Sequence, residues 1–163
     1  MAVASKEVLA LAGRELVRLA AARGGELLVL DSELTAAQRL RREHGPGDMK
    51  HLVLPATGGP FFDCDAERLA AVTPAEACRH PVWPMGPKIS VDSATGVNKS
   101  LEVVVAHALF GLPPARLEVA LHRAARIHAV MEGPGGRLAL EAPPDMRTAV
   151  RQVLGLPTPE VRV

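Results

Sequence analysis

The sequence predicts an α/β (α+β) chain: a single domain whose mixed sheet carries helices mainly on one face and antiparallel strands in its C-terminal half. Three observations lead there. Short apolar runs alternate with amphipathic segments in the first half, strand-like runs crowd together after Gly111, and 163 residues suffice for one hydrophobic core. There is no internal repeat and no low-complexity linker.

Each element follows from local pattern. From Ser5 to about Arg23, Val8, Leu9, Ala12, Leu16, Leu19 and Ala20 recur at helical spacing, and Gly24-Gly25 ends the helix. Glu26–Leu30 reads as a short buried strand, and Thr35–Arg42 as a helix. Lys50–Leu54 is a second strand, leaving through Thr57-Gly58-Gly59-Pro60. Thr73–Arg79 is a short helix, with Thr73 as N-cap, Pro74 at the first position and Glu76 completing a capping box. His80–Lys88 holds three prolines and a glycine and predicts a loop; Ile89–Val91 predicts a brief extended piece. Ser93–Phe110 predicts one helix, stopped by Gly111 and Pro113. Strands are expected at Arg116–His122, Arg126–Met131 and Gly136–Ala142, the last two joined by a turn at Glu132–Gly135. Pro144–Leu154 closes as a helix. All the strands are expected in one sheet.

Bulk properties exclude several classes. With 19 Lys+Arg against 18 Asp+Glu, the net charge of +1 offers no footprint for nucleic acid. No apolar run reaches membrane-spanning length and no signal-peptide layout opens the chain, so a cytoplasmic protein without membrane attachment is expected. Cys64 and Cys78 match no metal or redox spacing and are expected to be reduced. Aromatics make up 2% of residues, and Tyr is absent. Together with the abundance of Ala, Arg, Pro and Leu, this reads as genomic bias and not as function.

Chemistry concentrates in a few places. Asp31 and Glu33 follow a strand end two residues apart, where extended backbone points both carboxylates the same way and lets them hold a hard cation. Ordinary helix capping is the competing reading. Thr57 beside Gly58-Gly59 offers a hydroxyl and open backbone amides to a phosphate. Ser93 is expected to open a helix. Asn98 and Lys99 share a helix face with Glu102, a pattern also common in solvated surface pairs. His80 leads a Pro-rich loop bearing Trp83, which suits a lid over a ligand or, equally, a plug at the core edge. Lys6 near a helix start opposes the helix dipole, which makes it either an ignorable end charge or a group meant for a bound anion.

Taken in order, these residues resemble the 1-deoxy-D-xylulose 5-phosphate reductoisomerase family. The resemblance rests on Ser5-Lys6-Glu7, Leu30-Asp31-Ser32-Glu33, Thr57-Gly58-Gly59-Pro60-Phe61 and, above all, the run from His80 to Glu102. Ile127-His128 and Pro144-Asp145-Met146-Arg147 support it downstream. The resemblance implies that Asp31, Glu33 and Glu102 hold Mg2+ or Mn2+, and that Thr57, Ser93, Asn98 and Lys99 grip the phosphate of a phosphorylated ketose. It implies that Ser32, Lys6 and His80 contact the sugar backbone, with Lys6, Glu33 and His80 as the catalytic set. Trp83 would ride on a closing flap, and Ser5, Glu7 and Gly86 would touch NADPH. The implied activity is isomerisation and NADPH-dependent reduction to 2-C-methyl-D-erythritol 4-phosphate, in the non-mevalonate route to isoprenoids, by a homodimer.

The resemblance covers the family's central, catalytic part. The family's N-terminal NADPH-binding domain and C-terminal helical domain have no counterpart among these residues. A fragment or one piece of a split enzyme is therefore expected, inactive alone and served by a separate NADPH-binding domain or chain. Ser5 stands where the family has Asn, Thr57 where it has Ser, and His122-Arg123-Ala124-Ala125 where it has a His-Pro-Gln-Ser run. Gly133-Pro134-Gly135 replaces a turn with aromatic and acidic residues. Two other readings remain open on the residues alone: a non-enzymatic dimerising or binding module, and a metal-dependent enzyme acting on another sugar phosphate without hydride transfer.

Overall fold

A computed structural model describes residues 1–82 and 84–157. Trp83 lies outside the described residues. The chain opens with β1 (Ala2–Val3) and α1 (Lys6–Ala22), followed by β2 (Leu28–Val29) and α2 (Ser32–His44). Next come β3 (His51–Ala56), α3 (Ala66–Ala70), α4 (Pro74–Ala77), α5 (Pro87–Ala94) and α6 (Val97–Phe110). A 3-10 turn at Pro114–Arg116 leads into β4 (Leu117–Leu121), β5 (Ile127–Gly133), β6 (Gly136–Glu141) and α7 (Met146–Val153).

The mixed sheet has the order β4-β3-β5-β6. β3 runs parallel to β4 and antiparallel to β5, and β5 pairs antiparallel with β6, so the C-terminal antiparallel strands are as expected. The strand at Glu26–Leu30 is a correction in two respects. It shrinks to Leu28–Val29, and it pairs in parallel with β1 as a separate two-stranded ribbon instead of joining the main sheet. β1 was not anticipated, because two residues carry no readable periodicity.

One alternation parity of the sheet, Leu52, Leu54, Ala129, Met131, Leu138 and Leu140, meets Leu9, Leu34, Ala37, Leu40, Val105 and Leu109 from the helices in a single core. α1 lies on α6 at a close crossing, where a Cβ on Gly13 would stand 3.1 Å from Ala108 Cβ. Gly133 ends β5 against the backbone of the loop between α2 and β3, with no room for any side chain: a Cβ would fall 1.9 Å from Asp48 O.

Caps set most helix starts. Ser5 accepts from Val8 N at 3.3 Å, Asp31 from Leu34 N at 3.0 Å, and Thr73 and Glu76 form the expected box. α2 starts at Ser32, earlier than expected, because Asp31 caps it. α3, capped by Asp65, has no buried residue and hence no apolar stripe to read.

The largest departure lies between residues 87 and 110. Ile89–Val91 is helical, not extended: Pro87 at the first turn of α5 pre-sets the helical φ and outweighs the β-branched pair. The single helix expected over Ser93–Phe110 is two, because Gly96 takes a left-handed φ of 77°. Ser93 therefore sits in the last turn of α5 and does not open a helix; Asn98 and Lys99 occupy the first turn of α6. Among the described residues no helix is long and apolar enough to cross a membrane.

Candidate active site

The carboxyl ends of β2 and β3 open into one cavity of about 850 Å3. The residues that line it come from six places: the start of α1, the β2–α2 junction, the loop after β3, the loop between α4 and α5, α5 with its junction to α6, and the head of α7. Ligands commonly collect at such strand ends, because each chain exit delivers polar groups to one rim.

Asp31 and Glu33 enter from the head of α2, and Glu102 from the second turn of α6. One oxygen from each lies within 4.8 Å of the others. Glu102 is fully buried and Asp31 nearly so. Two lysines thread the cluster. Lys6 Nζ donates to Asp31 Oδ2 and, at 3.4 Å, to Glu102 Oε1. Lys99 Nζ donates to Glu33 Oε1 at 2.8 Å and stands 2.5 Å from Glu102 Oε2. Asn98 Nδ2 donates to Glu102 Oε1 at 2.7 Å, and Ser32 Oγ donates to Glu33 Oε2. The pairing of Lys99 with Glu102 is therefore buried and not a solvated surface contact, and Asp31 is both a cap and a member of the cluster.

The electrostatics follow from this crowding. Burial pushes the Glu102 carboxyl up to about 8, and the neighbouring Glu33 and Asp31 add to the rise against the pull of Lys99 and Lys6. Burial alone would raise Glu33 as well, but Lys99 reverses the sign and holds it below the usual range. Burial opposes the charge on Lys6 and Lys99, and their carboxylate partners outweigh it, so both are raised. Glu102 Oε2 is buried in its ion pair with Lys99. Three carboxylate oxygens converging within 4.8 Å are the donor set of a hard divalent cation, so the residues present fit Mg2+ or Mn2+.

The cavity's second half holds hydroxyls and amides. Thr57 Oγ1 lies 3.2 Å from His80 Nε2. Val82 N donates to His80 Nδ1 at 3.3 Å, so Nε2 carries the proton and donates to Thr57. Burial lowers the His80 pKa, partly offset by Glu33. Gly59 packs on the end of α5 so closely that a Cβ would stand 3.1 Å from Ser93 O, which brings Thr57 and Ser93 to one rim. Ser32, Asn98 and Lys99 line the same space.

Not every expected residue reaches it. Ser5 is the cap of α1, and Gly86 the exposed residue before α5; neither lines the cavity. Glu7 does, at the outer edge, where it pairs with Lys88 and Ser5; the hydrogen bond from Lys88 does most to hold its carboxyl down to about 2. Sequence reasoning missed Met85, Ile89, Asp92, Met146 and Arg147 as lining residues. Ile89 and Asp92 became visible only once α5 was helical, while the motif around Met146 was in view without a role.

The family model described as the 1-deoxy-D-xylulose 5-phosphate reductoisomerase C-terminal domain matches residues 27–110. The chain belongs to this reductoisomerase family. A relative of that name from Xanthomonas euvesicatoria pv. vesicatoria (strain 85-10) is 49% identical over 160 residues, covering 97% of this chain and 40% of the relative. One from Aromatoleum aromaticum is 45% identical over 161 residues, with 95% and 40% covered. The chain thus spans well under half the length of the reductoisomerases it matches. A crystal structure of DOX-P reductoisomerase with NADPH, fosmidomycin and magnesium superposes with a TM-score of 0.85 at 34% identity, over 94% of this chain and 40% of that one. The Zymomonas mobilis reductoisomerase in complex with NADPH gives 0.81 at 35% identity, over 99% and 42%.

Proposed function

We propose that residues 1–163 form the catalytic (connective) domain of a 1-deoxy-D-xylulose 5-phosphate reductoisomerase and supply its metal and substrate site. The observation that carries this is the buried convergence of Asp31, Glu33 and Glu102 beside a hydroxyl- and amide-rich rim. Asp31, Glu33 and Glu102 hold Mg2+ or Mn2+. When bound, the cation polarises the substrate carbonyl and NADPH supplies the hydride.

The chain's own groups do the rest. Thr57, Ser93, Asn98 and Lys99 take the phosphate; their remote grip positions the reacting carbons. Lys6, Ser32 and His80 contact the sugar hydroxyls, with Lys6 and His80 Nε2 placed to donate to substrate oxygens. Lys6, Glu33 and His80 are the catalytic set, and Trp83 belongs to the covering loop. Ser5, Glu7 and Gly86 face the nicotinamide nucleotide from the outer rim, for which the edge position of Glu7 is the support. The NADPH domain is a separate domain or chain, so the isolated chain binds metal and phosphorylated ketose without reducing it. A homodimer completes the proposal; its support is the edge strand β4, with Val119 and Leu121 exposed.

The test is calorimetry of the 163-residue chain with Mn2+, then with fosmidomycin in the presence of Mn2+. Glu33→Gln weakens Mn2+ binding at least about tenfold if Glu33 is a ligand. Unchanged Mn2+ affinity would sink the metal assignment, and NADPH-dependent turnover by the isolated chain would sink the claim that it cannot reduce alone.

A further inference from the structure

The loop after β3 is braced from outside the cavity by a residue of another connection. Arg123 lies in the turn between β4 and β5, which His122 N ties to β3 by a 2.8 Å hydrogen bond to Ala56 O. The Arg123 guanidinium carbon stands 4.9 Å from the centre of the Phe62 ring, and Nη1 lies 3.0 Å from Asp63 Oδ2. The Phe62 ring in turn presses on Gly58, where a Cβ would fall 2.8 Å from Cδ2. On the far side Gly59 abuts Ser93 O and Ala94 Cα. Contacts therefore run from Arg123 through Phe62 and Gly58-Gly59 to Ser93, with Thr57 adjoining the glycines.

Both glycines hold left-handed φ values, 88° and 68°, in backbone that many other conformations would suit. Such a loop presents Thr57 and its amides in one geometry only if something outside limits its freedom. Arg is suited to that task, since its plane stacks on a ring while its charge pairs with a carboxylate.

We propose that Arg123 is a positioning residue for the anion half of the site: its hold on Phe62 and Asp63 sets the Thr57–Gly59 loop against Ser93 and so tunes affinity for a phosphate or phosphonate group. The inference rests on the reading of Thr57 and Ser93 as phosphate contacts. Asp31, Glu33 and Glu102 come from α2 and α6 and lie outside this chain of contacts, so metal affinity is independent of Arg123.

Calorimetry with Mn2+ alone, and with fosmidomycin in the presence of Mn2+, tests this on the wild-type chain and on Arg123→Ala, Arg123→Lys and Asp63→Asn. Arg123→Ala is expected to weaken the phosphonate about fivefold, the scale of one exposed cation–π contact plus one surface ion pair, while Mn2+ affinity stays the same. Arg123→Lys and Asp63→Asn, each keeping part of the hold, fall between. Wild-type fosmidomycin affinity in Arg123→Ala overturns the inference alone. An equal loss of Mn2+ affinity overturns it in favour of general damage to the domain. Failure of the wild-type chain to bind fosmidomycin, with Mn2+ bound, overturns the phosphate reading and this inference with it.

Discussion

Replacing Glu102 with Gln removes the carboxyl whose ionisation folding opposes most strongly among the described residues. The Glu102 carboxyl titrates near 8 in the folded, metal-free chain, against 4.5 ordinarily, because it is buried beside Glu33 and Asp31. For an acid raised in this way, the folded chain keeps a proton that the unfolded chain has already released. Its contribution to stability is therefore whole below pH 4.5, falls as pH rises, and is gone once pH passes 8. At one proton per molecule, wild type loses about 3 kcal/mol between pH 5 and pH 8 through this group.

Glu102→Gln abolishes that slope. Its amide faces the donors Lys99 and Asn98, which costs about 1–2 kcal/mol but costs it equally at both pH values. His80 titrates in both proteins and drops out of the difference. The assay is urea unfolding in EDTA at pH 5 and pH 8. The variant should be less pH-sensitive than wild type by about 3 kcal/mol. Added Mn2+ should flatten the wild-type loss at pH 8, where metal takes the place of the proton, and stabilise the variant less than wild type at the same concentration. A variant with the wild-type slope would refute both the raised carboxyl and the crowding that produces it.

Three further outcomes are expected. Lys99→Met strips the buried partner from Glu33 and Glu102 and should destabilise the metal-free chain by about 3 kcal/mol at pH 8, read as a drop in the urea midpoint at constant m. Ala125, which alone among the described non-glycine residues holds a positive φ, 49°, sits in the β4–β5 turn; Ala125→Gly should gain about 0.5–1 kcal/mol in the same assay. Gly133→Ala places a Cβ inside the carbonyl of Asp48 and should cost more than about 2 kcal/mol, a fall in thermal midpoint that saturating Mn2+ does not restore to the wild-type value.

Much of the fold was legible because its signals are local. The Thr73–Glu76 capping box, the helical stripe of α1 and the Gly-Pro turn before β6 each read directly, since capping and turn chemistry act within a few residues. The region from Pro87 to Phe110 did not read correctly. Whether Gly96 continues a helix or breaks it in the left-handed region is decided by what packs around α5 and α6, and so Ser93 changed helices. The β1–β2 ribbon was unreadable for a similar reason: Leu28 and Val29 pair with residues near the chain start, a choice that only the packing of α1 and α2 can make.

The order and identity of the polar residues by themselves determined the family and the ingredients of the site, because motifs such as Asp31-Ser32-Glu33 and Asn98-Lys99 carry their chemistry in residue type and spacing. Only the tertiary structure decided that Asp31, Glu33 and Glu102 share one buried point, threaded by Lys6 and Lys99. It also decided that Ser5 and Gly86 stay outside the cavity, and that Arg123 reaches the glycine loop through Phe62. The physical reason is range: propensity, capping and spacing act along the chain, whereas burial and charge crowding depend on segments up to a hundred residues apart being brought within a few ångströms.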